Sequence, residues 1–220
     1  MNFQEYQKAL SVPRLATYLS ACDNDKNKAL ILYRYNIKLS QKLYGILGVL
    51  EVVLRNAINQ HYEKQFTDPE WMINEIANGG AFRGEIKTVQ KVNEAVRNLD
   101  TFYSHNKLVA SLTLGFWVAF FNKTAYAAGG KTLLKIFPNK ILGMNQRDIY
   151  REFRYILNFR NRIAHHEPIV FNVKKQRDVG YVEGNYKLVI KYLNFLGYKE
   201  NEILWGVDLP DATLKAVDGL

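Results

Sequence analysis

The chain of 220 residues carries a single cysteine, Cys22, so no internal disulfide can support the fold. That thiol and four histidines offer no ligand spacing for structural zinc, and neither a metal nor a cofactor is expected. The longest uncharged run, residues 108–122, is shorter than the roughly 20 residues needed to cross a bilayer. It predicts a pair of buried helices, and no membrane partner. The N-terminus lacks a basic start followed by an apolar stretch and a small-residue cleavage site, so a cytoplasmic protein is expected. There is no repeat at a fixed period and no Ser, Gln or Gly tract, which predicts one helical domain over 1–220. A Walker-type phosphate loop is also missing. In Gly129-Gly130-Lys131-Thr132 the leading glycine of that motif is replaced by Ala125, leaving at most a phosphate-binding turn.

What the chain does have is basic charge, a net +9 with a pI near 9.4. Such a balance favours a polyanionic partner, because each Lys or Arg brought to a phosphate releases condensed counterions. Charge by itself does not separate a nucleic-acid binder from any other basic protein.

Helical spacing dominates the pattern. Residues 24–66 contain no proline, and Leu39, Leu43, Leu47, Leu50, Leu54 and Ile58 recur at three and four. They predict one long amphipathic helix capped by Asn24 or Asp25 and closed by Asp68-Pro69. A shorter helix, interrupted near Pro13, should precede it. Asp68-Pro69-Glu70 opens a helix over 71–77, which Asn78-Gly79-Gly80 stops. Residues 82–99 follow, with Ile86, Val89, Val92 and Val96 on one side. Residues 111–122 are apolar nearly all round, which implies burial on every face. The Gly129-Gly130 pair and Pro138 punctuate the next stretch. Asn145 or Gln146 then opens a helix running to about Glu167, where Pro168 pushes its predecessor out of helical conformation. Residues 170–184 carry turn signals and a candidate hairpin, and 186–195 read as a helix. The fold class is all-α, with a small irregular or hairpin segment after the helix that starts near residue 145.

That helix holds the chemistry. At about 100° per residue, Ile149, Phe153, Ile156, Leu157, Ile163 and Ala164 form an apolar stripe with Arg160 in its middle. A guanidinium on a core-facing stripe is costly unless it is paired or reaches a water- or ligand-filled cleft. Beside the stripe, Arg147, Arg151, Arg154, Asn158, Asn161 and His165 share a face, a basic rail ending at an imidazole. Phosphates could track along such a rail to a histidine suited to proton transfer near neutral pH. The bland alternative is a solvated basic face. Asn161 and His165, about 40° apart, can hydrogen-bond; Arg160 and His165, about 140° apart, cannot point the same way. Either the helix frays before Pro168, or a two-fold axis brings the histidine of one copy to the arginine of another.

Arg160-Asn161, three residues, then His165-His166 resembles the Arg-polar-x-x-x-His signature of the HEPN superfamily, and in particular its Abi-like (abortive infection) bacterial proteins. Residues 50–58, LEVVLRNAI, are similar to the glutamate-to-arginine segment of that family's early helix, and 111–117, SLTLGFW, to its Thr-Phe-Gly block. The sequence departs from the family after the paired histidines, with Glu167-Pro168-Ile169-Val170-Phe171-Asn172 where Ser-Arg-Leu-Trp-Asn is common. The resemblance implies a multi-helix HEPN-like bundle with its core over about 24–172 and a C-terminal helical extension over 173–220. It also implies a homodimer whose paired motifs line one cleft and cut RNA without metal, as a toxin–antitoxin or antiviral-defence effector. Arg160, Asn161 and His165 would be catalytic, with His166 a candidate second proton carrier. Arg147, Arg151, Arg154, Asn158 and Arg162 would bind RNA, and an antitoxin RNA or protein is a candidate partner. Glu51, a charge among leucines, needs a cation: Arg55 four residues on, or Arg160 from across the core. Arg55-Asn56 with His61 imitates the motif loosely, but its helix continues past His61. The other reading is a non-catalytic RNA-binding or assembly module of the same fold, in which Arg160 and His165 serve structure.

Overall fold

Asn2 opens the first helix with a reciprocal cap: its side chain accepts the Glu5 amide at 3.0 Å, and Glu5 Oε2 accepts the Asn2 amide at 2.6 Å. The computed structural model describes residues 2–172 and 174–220, and the chain is an all-α, multi-helix protein. Helix α1 (Phe3–Leu10) gives way at Ser11, whose φ of 78° breaks the ladder, to α2 (Val12–Ser20) with Pro13 in its first turn. Of the two caps the sequence offers for α3 (Lys26–Phe66), Asp25 serves, with its Oδ1 accepting the Asn27 and Lys28 amides at 2.8 and 3.0 Å. Leu39, Leu43, Leu47, Leu50, Leu54 and Ile58 are all buried, as their spacing predicts.

Short helices follow: α4 (Trp71–Ile76), α5 (Ile86–Leu99), α6 (His105–Ser111), α7 (Leu114–Ala119) and α8 (Lys123–Ala128). Single 3₁₀ turns occupy Asp100–Phe102 and Leu133–Ile136. The long helix α9 (Gln146–Ala164), then α10 (Gly180–Phe195), α11 (Glu200–Ile203) and α12 (Asp211–Asp218) complete the chain. The uncharged run at 108–122 is two short helices, as expected. Among the described residues no helix is long and apolar enough to cross a membrane.

Three boundaries differ from expectation. Residues 82–85 form a turn, because the Phe82 amide bonds back to Glu75 O at 2.8 Å and Glu75 Oε2 takes the Ala81 amide at 2.7 Å. Consequently α5 buries Thr88, Val92 and Ala95, and Ile86 is 69% exposed. Helix α10 starts at Gly180 rather than 186, where Asp178 Oδ1 accepts the Gly180 amide at 2.7 Å. The candidate hairpin reduces to one antiparallel bridge, Phe171 with Arg177, in a stretch whose residue 173 lies outside the described residues. The third, the end of α9, belongs to the candidate site.

The chain divides into two compact units, one of residues 1–47, 159–188 and 204–220, the other of 48–158 and 189–203. In the first, Tyr18 is buried edge-on against Tyr33 and Phe171, at centroid distances of 5.3 and 5.0 Å. In the second, Tyr62 lies among Trp71, Phe82 and Phe120 at 5.0, 5.3 and 5.6 Å. Aromatic abundance in this unit is therefore core packing. Gly129 is fixed by that core, since a Cβ there would lie 2.3 Å from the Tyr62 hydroxyl. Gly129→Ala should cost about 1–3 kcal/mol, measurable as a shifted urea midpoint. The buried Tyr62 hydroxyl has no partner among the described residues. Tyr62→Phe should thus be neutral or stabilising, and in the double variant it should recover part of the Gly129→Ala loss.

Candidate active site

Helix α9 begins with Asn145, whose Oδ1 accepts the Arg147 and Asp148 amides at 2.8 and 3.2 Å. Ile149, Phe153, Ile156 and Ile163 of the expected stripe are buried, and Leu157 and Ala164 are half-buried. Phe159, which the stripe left out, is fully buried against Tyr181 with ring centroids 5.4 Å apart. Arg160 is half-buried, and its Nη1 approaches Asn161 Oδ1 at 3.5 Å.

The helix ends at Ala164, short of the expected Glu167, and the reason is a left-handed residue. His166 has φ of +56°. Its amide bonds to Ile163 O at 3.0 Å and the Glu167 amide to Arg162 O at 2.8 Å, the paired bonds of a Schellman stop. His165, still bonded through its amide to Asn161 O at 2.9 Å, occupies the C-cap. Arg14 Nη1 holds the His166 carbonyl at 2.9 Å. Arg162, expected among the RNA contacts, is committed to this turn. It donates to Pro168 O, lies 3.4 Å from Glu167 Oε2 and stacks 5.0 Å over the Tyr181 ring. Glycine accepts φ near +60° without the Cβ penalty, so His166→Gly should stabilise the fold by about 1 kcal/mol, some 2–4 °C in Tm by calorimetry.

Both histidines are exposed, and they differ in what they adjoin. His165 is exposed, and its ring has no hydrogen-bond partner among the described residues. The expected Asn161–His165 side-chain bond is therefore not made; Asn161 Oδ1 faces Arg160 instead. His166 lines a cleft of about 560 Å³ with Asn36, Ser40, Gln41 and Tyr44 of α3 and Ile163 of α9. Arg160, Asn161, His165 and His166 all belong to the first unit, but neither imidazole is hydrogen-bonded to the guanidinium. Asn36 and Tyr44 were missed at the sequence level. Asn36 was findable, as the one polar residue in the apolar series Leu32, Asn36, Leu39, Leu43.

In the second unit, Arg147, Arg151, Arg154 and Asn158 are exposed, and Arg151 reaches Asp148 at 3.2 Å. Two segments that carry the family resemblance meet there. Glu51 Oε1 accepts the Leu114 amide at 2.7 Å, at the start of α7, and a Cβ on Gly115 would touch Leu157 at 3.7 Å. Arg55 does not supply the expected local cation for Glu51. It donates to Ala110 O at 3.3 Å, its Nε is buried without a partner, and it forms no ion pair among the described residues.

The remaining candidates serve structure. His61 sits inside α3, as expected of a decoy, 2.9 Å from Thr132 Oγ1, and burial foremost, then Lys135, lowers its pKa. The Gly129-Gly130-Lys131-Thr132 turn is braced on α3, where Gln65 Nε2 donates to Gly129 O at 3.1 Å and Gln65 Oε1 accepts from Thr132. Among the described residues no group of three or more His, Cys, Asp or Glu side chains is placed to hold a metal ion. Compared with protein-family models, with curated proteins and with solved structures, the chain matches none.

Proposed function

We propose that this protein is a metal-independent endoribonuclease, a toxin or phage-defence effector, working through Arg160, Asn161, His165 and His166. One observation carries the reading: α9 stops in a left-handed turn that presents two consecutive exposed histidines, His166 at the edge of a cleft, one turn beyond a half-buried arginine.

These side chains suit in-line attack by a ribose 2′-hydroxyl on the adjacent phosphate. His165 takes the 2′-hydroxyl proton, the 2′-oxygen bonds to phosphorus, and the phosphorus–5′-oxygen bond breaks. A second imidazole, His166 or the histidine of another copy, returns a proton to the leaving 5′-oxygen. Arg160 stabilises the charge that builds on the phosphorane, and Asn161 orients a phosphate oxygen. The products are a 2′,3′-cyclic phosphate and a 5′-hydroxyl. Arg147, Arg151 and Arg154 contact phosphates farther along the strand. Pairing of two copies completes the site in this reading, because Arg160 and His165 of a single chain are not joined. An antitoxin RNA or protein would restrain the activity.

The test is incubation of the purified protein with single-stranded and transfer RNA in EDTA, with the new ends analysed. Cyclic phosphate ends are expected. A broad RNA panel left intact in both EDTA and magnesium would sink the proposal. One observation favours a non-catalytic RNA-binding or assembly module: the His165 ring is bonded to no neighbouring side chain among the described residues. That reading expects RNA binding or self-association without new ends.

A further inference from the structure

The walls of the cleft beside His166 differ in kind from the arginine-bearing part of α9. The lining contains no Lys, Arg, Asp or Glu. Ile37, Ile163 and Ala164 give it apolar surface, and Tyr44, 54% exposed, stands at its side. One polar group is buried there. Asn36 is only 3% exposed, and its Oδ1 accepts the Ile169 amide at 2.8 Å. That bond fixes which way the side-chain amide points, so Nδ2 is left as the donor, and it has no partner among the described residues. That Nδ2 is not sealed in by protein, so it offers the cleft a donor that a ligand's acceptor can take up. Ser40 and Gln41, along the same helix, can both donate and accept.

We infer that this cleft holds an unstacked nucleobase of single-stranded RNA. A volume of about 560 Å³ accommodates a base with its ribose. A base has a π face for Tyr44 and apolar surface for the isoleucines. Its edge carries acceptors for Asn36 Nδ2 and mixed partners for Gln41 and Ser40. The lining offers a phosphate no Lys or Arg and at most the His166 imidazole, and a purely apolar ligand would cover Asn36 Nδ2 without giving it an acceptor. A base within a duplex has its faces stacked and its pairing edge occupied, so the cleft selects unpaired nucleotides. The inference rests on the ribonuclease reading for its choice of polymer. It adds that cutting is positioned by one base held next to His166.

The experiment uses the full chain and a labelled single-stranded RNA octamer made uncleavable by 2′-O-methylation, with binding followed by fluorescence anisotropy. Removing the base at one position should weaken binding about tenfold, the scale of one lost stacking contact. Tyr44→Ala, at an exposed site, should cause a similar loss, and combining it with the abasic position should cause little more. Asn36→Asp keeps an acceptor for the Ile169 amide while replacing the donor, and should also weaken binding about tenfold; if it fails to fold, Tyr44→Ala decides alone. The proposal is overturned if no abasic position matters, if Tyr44→Ala binds like wild type, or if wild type binds no RNA. A protein that shows the abasic effect but never cuts natural RNA keeps the cleft and loses the ribonuclease. One that cuts RNA with the same base preference in wild type and Tyr44→Ala keeps the ribonuclease and loses the cleft.

Discussion

His165→Ala is expected to reduce RNA cleavage about a hundred- to ten-thousand-fold, the range spanned by loss of a general acid or base, with Tm unchanged. The structural half of this expectation follows from the ring's surroundings: it is exposed and hydrogen-bonded to nothing among the described residues, while the His165 backbone amide that closes α9 is retained in alanine. The kinetic half follows from the proposed mechanism. A loss confined to kcat, with RNA affinity intact, marks a group that acts in the transition state. His166→Ala should also lose activity while keeping the left-handed strain, so its Tm should stay near wild type, unlike that of His166→Gly. The double alanine variant should be little worse than the more damaged single one, since residues working as a unit do not contribute additively. Cleavage by His165→Ala at the wild-type rate would remove the histidine from the mechanism.

Asn59→Ala should be the most damaging of these substitutions for the fold, at about 3–5 kcal/mol by chemical denaturation. Asn59 Oδ1 accepts from Trp71 Nε1 at 2.9 Å and pairs with His105 Nε2 at 2.8 Å. The oxygen can only accept, so His105 donates through Nε2 and is held as that neutral tautomer. Removing the amide strands two buried donors, at about 1–3 kcal/mol each. The arrangement also fixes the direction of acid sensitivity. Burial, opposed by the weaker pull of Glu70, lowers the His105 pKa below its unfolded value, and burial does the same at His61. As pH falls through about 6.5 the unfolded chain takes up protons that the folded chain resists, so stability drops. Above that range the contribution is fully present. Tm should therefore decline between pH 7 and pH 5, and His105→Gln should flatten the decline; a Tm flat with pH in the wild type contradicts this account.

Helix α3 was legible because its six core positions repeat at helical spacing with no proline to interrupt them, and burial of that face follows from period alone. Boundaries depend on bonds between segments, and these were less visible. The turn at 82–85 exists because Glu75 reaches forward to Ala81, and nothing in local hydropathy marks that contact. Proline at 168 gave only an outer limit for α9, since the true stop is a left-handed histidine, and few residues other than glycine adopt that conformation. At the candidate site, the motif nominated Arg160, Asn161, His165 and His166, but helical spacing did not foretell that Asn161 would face Arg160 and not His165. The cleft was not, because Asn36 and Tyr44 reach His166 only through tertiary folding. Arg162 looked like one more arginine for RNA, and its stacking on Tyr181 could not be read from charge.

The left-handed turn at His166 also has a consequence for how this sequence can drift. Wherever backbone ease alone governs that position, substitution should run toward glycine or asparagine, which occupy such a conformation most readily. On the ribonuclease proposal, a histidine kept there would be retained for its side chain at the expense of stability. If the proposed ribonuclease activity is lost in a lineage, residue 166 should be among the first of the motif to change, ahead of the buried Phe159 and Ile163, which the fold requires in either case.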